Sequence, residues 1–78
     1  MNDTGLVESQ VRYIMGLLRE NGFSHDYVCE ALECAAVQTG AKSATCVYRY
    51  EASATELGEC FMVRYTMPEH NERHIIKL

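Results

Sequence analysis

An α+β fold, with two N-terminal helices packed on one face of a three-stranded antiparallel sheet (ααβββ, two layers), is predicted by two observations. Apolar residues recur with the helical period as far as Gly40, and from there onward the period changes from 3.6 to 2, that of a strand. A third observation, the length of 78 residues, leaves room for one core and so for a single domain over 1–78.

The first helix is expected over 5–21, because Val7, Val11, Ile14, Met15 and Leu18 fall at i, i+4, i+7, i+8 and i+11 while Glu8, Arg12 and Arg19 take the opposite face. Asp3 or Thr4 suits its cap, Glu8 and Arg12 form an i, i+4 pair, and Asn21-Gly22 supplies a left-handed stop. Ser24 then reads as the N-cap of a second helix over 25–39, with Asp26 in its first turn and Phe23 placed to staple onto Val28. Its apolar stripe is Val28, Ala31, Leu32, Ala35 and Ala36, small enough for close packing, and Thr39-Gly40 ends it.

Strands are expected over 44–52, 59–67 and 73–78, joined by turns at Ser53 to Gly58 and Pro68 to Glu72. Alternation sends Cys46, Tyr48, Tyr50, Phe61, Val63, Tyr65, Met67, His74, Ile76 and Leu78 toward the helices. The register that this suggests sets Tyr48 opposite Val63, Tyr50 opposite Phe61 and Tyr65 opposite Ile76.

Val47, Arg49, Cys60, Met62, Arg64, Thr66, Arg73, Ile75 and Lys77 are then left on the far face of the sheet, with no element remaining to cover them. In that register Arg64 faces Lys77 across the strands, a like-charge pair that a bound acidic surface would relieve. Val47, Arg49, Met62, Arg64, Ile75 and Lys77 are therefore the candidate binding residues, for a target protein or, in a homodimer, for a second copy of the chain. Direct nucleic-acid binding by this face is not expected, since sheet readers of single strands stack bases on outward aromatic rings and every ring here points inward.

Charge divides unevenly: residues 1–40 carry two basic and six acidic side chains, residues 41–78 five of each, for a net charge of -4. Asp26, Glu30 and Glu33 lie within about 60° on the second helix, an acidic ridge expected to face away from the core. It is a second candidate docking surface, for a basic partner such as a nucleic-acid-binding protein. The same three carboxylates disfavour a helix-turn-helix with a β-hairpin wing, the alternative reading as a small DNA-binding regulator, because the recognition helix would repel phosphates.

Chemistry is thinly represented. Cys29-x4-Cys34 and His70-x3-His74 have zinc-ligand residue types, but the two cysteines stand about 140° apart around the helix and far in sequence from the histidines, so no metal is assigned. His25 lies one turn before Cys29, yet no glycine-rich phosphate loop or nucleophile motif accompanies it. No catalytic residue and no cofactor are expected. Asn21-Gly22-Phe23-Ser24 leading into Ala31-Leu32 resembles the turn of ubiquitin-associated domains, but those are three-helix bundles and this chain turns to strand periodicity, so no function carries over.

The four cysteines are read as free thiols, and neither a membrane span nor a basic leader is seen, so a cytoplasmic location is expected. The function expected is that of a small non-catalytic protein-binding module, an accessory or inhibitory protein of the kind that phages and mobile elements encode, acting by stoichiometric binding to a target.

Overall fold

The computed structural model describes residues 4–52, 57–69 and 71–78. It contains α1 (Thr4–Arg19), α2 (His25–Gln38), β1 (Ser43–Ala52), β2 (Leu57–Thr66) and β3 (Arg73–Lys77) in that order. The strands form one antiparallel sheet in the order β1-β2-β3, with β2 in the centre. Asp3, His70 and positions 53–56 of the expected turn lie outside the described residues.

Local chemistry places the helix ends. Gly22 adopts the left-handed region at φ 67°, open to glycine at no steric cost, and the Asn21 side chain donates to the Leu17 carbonyl at 2.6 Å. Ser24 caps α2 as its Oγ accepts from the Tyr27 amide at 3.2 Å. Phe23 stacks on Tyr27 at 4.6 Å and shares with Val28 the lining of a groove at this turn. At the far end the Thr39 hydroxyl donates to the Ala35 and Ala36 carbonyls, and Gly40, at φ 123°, carries the chain into β1.

The helices cover one face of the sheet. α2 packs on β1 and β2, and α1 packs on α2 and reaches the sheet through two polar contacts, Tyr65 Oη donating to the Thr4 carbonyl and Arg12 Nη1 to the Lys77 carbonyl, each at 3.5 Å. Val7, Val11, Leu32, Ala36 and Val63 are fully buried, and Met15, Val28, Phe61, Tyr65 and Ile76 close the core around them. The alanines on α2 let its backbone approach β1 closely, which bears on the seam described below.

The inward phase of the strands is as the alternation predicts, but both hairpins are shifted by two residues from the expected register. Tyr48 pairs with Phe61, Cys46 with Val63, Tyr50 with Glu59, Val63 with Ile76 and Tyr65 with His74. A slip of two keeps every side chain on its face, so alternation is blind to it. The consequence is electrostatic: Arg64 pairs with Ile75 and Lys77 with Met62, so the like-charge pair expected across β2 and β3 does not form.

Removing a fully buried side chain between the layers should cost far more than removing an outward one. Leu32→Ala is expected to lower the unfolding free energy by about 2–5 kcal/mol, and Ile75→Ala by at most about 1 kcal/mol, measured by urea denaturation. Equal losses would contradict this assignment of faces.

Candidate functional site

The outer face of the sheet reads in rows across β1, β2 and β3: Ser43, Thr66 and Arg73; Thr45, Arg64 and Ile75; Val47, Met62 and Lys77. Arg49, paired with Cys60, follows on the same face. Arg64 therefore has Arg73 and Lys77 as its diagonal neighbours on β3, roughly 7–8 Å away at the backbone, and Ile75 stands between those two cations, 55% exposed. Arg49, Arg64, Arg73 and Lys77 are all exposed and have no ion-pair partner among the described residues. Each diagonal repulsion costs on the order of 0.5 kcal/mol in water.

Two residues of this face depart from expectation. Met62, expected in solvent, is 6% exposed. It points outward from the central strand, and its row neighbours Val47 and Lys77 flank it on both sides, so long side chains on its own face shelter it. Val47 is half-buried, which leaves Ile75 as the accessible apolar residue among the candidates. Beside the cations, Ser43, Thr45, Arg64, Thr66 and Arg73 line a shallow depression of about 220 Å³, in which the Ser43 and Thr66 hydroxyls bond each other at 2.8 Å.

One of the three acidic residues of α2, Glu33, takes a different place from the one expected. Glu33 is half-buried, and its carboxylate accepts from the Cys46 amide at 2.8 Å. β1 is an edge strand, so this bond occupies a backbone donor that the sheet leaves open. Asp26 and Glu30 stay exposed, and all three carboxylates line the open groove between α2 and β1.

In the same groove Cys29 lies beside Cys46. Burial most of all, then the neighbouring Cys29 thiol, then the charge of Glu33, push the Cys46 thiol well above its ordinary 9.0. Cys34 is exposed on the other side of α2, and all four cysteines are free. His25 stacks on Tyr48 with 3.7 Å between ring centroids and meets the edge of Phe61. Among the described residues no three His, Cys, Asp or Glu side chains converge in a way that would hold a metal ion, and no helix is long and apolar enough to cross a membrane.

A further surface escaped the sequence reading. Leu6, Tyr13 and Leu17 are about half exposed along α1, and Phe23, Tyr27 and Val37 equally so along the turn and α2. The signal was present as a second apolar stripe at i, i+7 and i+11, offset from the core stripe of α1. No protein-family model, curated protein or solved structure matches the chain.

Two outcomes follow from this geometry. Since the outward cations repel one another, Arg64→Gln is expected to leave stability unchanged or raised by about 0.5 kcal/mol, and a loss above about 1 kcal/mol in urea denaturation would assign Arg64 a structural role. Because the Cys46 thiol ionises less readily in the fold than in the unfolded chain, its contribution is fully present below pH 9.0 and declines as pH rises above that value. Urea titrations on either side of pH 9.0 should show a steeper decline for the wild type than for Cys46→Ala; parallel declines would contradict the buried thiol pair.

Proposed function

We propose that the chain is a non-catalytic protein-binding module whose outer sheet face docks an acidic surface on a target protein. One observation carries this reading: Arg64, Arg73 and Lys77 surround the exposed Ile75 with no acidic partner of their own among the described residues. An apolar centre ringed by charge is the anatomy of a protein contact, in which the centre excludes water and the rim selects the sign of the partner. An acidic partner would also relieve the repulsion among the three cations, so part of the binding energy would come from strain in the free surface.

The matching surface on the target is an apolar side chain flanked by Asp or Glu. Single-stranded nucleic acid fits less well on the sheet, because Tyr48, Phe61 and Tyr65 face the helices and, among the described residues, leave no ring on its outer face on which a base can stack. For Cys46, the buried thiol, a non-catalytic role fits, since a cysteine with a raised pKa is a poor nucleophile at neutral pH.

The test is affinity capture from an extract of the source cell, followed by calorimetry of the captured protein with purified wild type and with Arg64→Glu/Lys77→Glu. Binding at one target per chain that weakens with salt and is lost in the double variant is the expected result. Equal binding by both, or salt-dependent binding to duplex DNA in place of any protein, would overturn the proposal.

A further inference from the structure

The helical layer has an outward surface of its own, and its chemistry is unlike that of the sheet. Among the described residues seven large apolar or aromatic side chains are substantially exposed, and all except Ile75 belong to α1, α2 or the turn between them. On α1, Leu6, Tyr13 and Leu17 fall within about 40° of one another by helical geometry, on the flank opposite the Glu8–Arg12 ion pair. Arg12 reaches the Lys77 carbonyl on β3, so that opposite flank is the one turned toward α2. On α2, Glu33 and Cys29 turn toward β1, which leaves Tyr27 and Cys34 on the flank turned toward α1.

Helical geometry thus sets the exposed Leu6, Tyr13, Leu17 and Tyr27 on neighbouring flanks of two packed helices, as one strip along the outside of the pair. Phe23 extends it by stacking on Tyr27, and Val37 stands on the outward side of α2 near its end. By helical geometry Arg12 and Arg19 lie on the other flank of α1, Arg19 bordering the groove that Phe23 lines, while Glu20 lies beside the strip and Glu30 between Tyr27 and Val37.

We propose that this strip is a self-association face and that its occupant is a second copy of the chain, related by a two-fold axis. Area is the first reason. Six half-exposed side chains of this kind present on the order of 600 Å², at the upper limit for the largest apolar patch of a monomer. Pairing two copies would remove at most about 1,200 Å² from water, where specific interfaces begin.

Charge is the second reason, and it chooses between the two bare faces. A two-fold contact sets a surface against itself. Self-pairing of the sheet face would bring Arg64, Arg73 and Lys77 against the same three cations, whereas the uncharged centre of the helical strip meets no like charge. Homodimerisation is thus assigned to the helices, and the sheet is left free. Such a dimer carries two basic faces on its opposite sides, which would let it engage two copies of a target at raised effective concentration.

Sedimentation velocity from low to high micromolar protein tests the proposal. The wild type is expected to double in mass with rising concentration, Tyr13→Arg/Leu17→Arg to stay monomeric with an unchanged circular dichroism spectrum, and Ile75→Arg to dimerise as the wild type does. Alkylation of Cys34 should slow as the dimer forms, while that of Cys60, on the sheet face, should not. A wild type that is monomeric throughout would overturn the proposal, as would a dimer lost in Ile75→Arg and kept in the helix variant. These side chains are not those of the sheet contact, so failure here leaves the target-binding reading standing.

Discussion

A single apolar interface between one sheet and one pair of helices governs the rest of this structure. Val7 and Val11 from α1, Leu32 and Ala36 from α2 and Val63 from β2 are withdrawn from water completely along it. Among the described residues two helices and three strands form two layers, and no further element covers either of them. Each layer therefore has one covered side and one bare side, and the chemistry of the bare sides is whatever the two periodicities leave over. On the sheet the remainder is cationic around one isoleucine; on the helices it is aromatic and aliphatic along one flank, with the exposed Arg12 and Arg19 on another.

The edge of the sheet shows how that interface constrains the polar groups beside it. α2 sits close to β1 because Ala35 and Ala36 add little bulk, and this brings Glu33 within reach of the Cys46 amide. A charge-assisted hydrogen bond to a backbone donor is stronger than a neutral one, and here it also blocks the pairing of a further strand along that stretch of β1. Glu33 is thereby committed to the fold, and Asp26 and Glu30 are the exposed carboxylates of the acidic ridge. The thiols follow the same logic. Cys29 and Cys46 meet because the helix is near, and the burial that packs Cys46 also holds it protonated.

Much of this was legible in the chain. Alternation through Cys46, Tyr48, Phe61, Val63, Tyr65 and Ile76 identified the inward face because the opposite phase carries Arg49, Arg64, Arg73 and Lys77, charges that a covered face would leave buried and unpaired. Register was not legible, since pairing Tyr48 with Phe61 or with Val63 satisfies that alternation equally. The burial of Met62 was hidden for a related reason: it depends on which side chains flank the central strand, a property of register and not of face. The helical strip was missed because Leu6, Tyr13 and Leu17 lie beside a stronger core stripe, and a stripe that packs nothing within its own chain has no signature except its exposure.

The two faces differ most sharply at a pair of adjacent residues on β3, Ile75 and Ile76, which are 55% and 2% exposed. Methyl NMR of isoleucine-labelled protein with a soluble paramagnetic agent compares them directly. The two-layer arrangement predicts strong broadening of the Ile75 methyl and a sharp Ile76 methyl. A protected Ile75 beside a broadened Ile76 would put the opposite face of the sheet under the helices and contradict the account at its base.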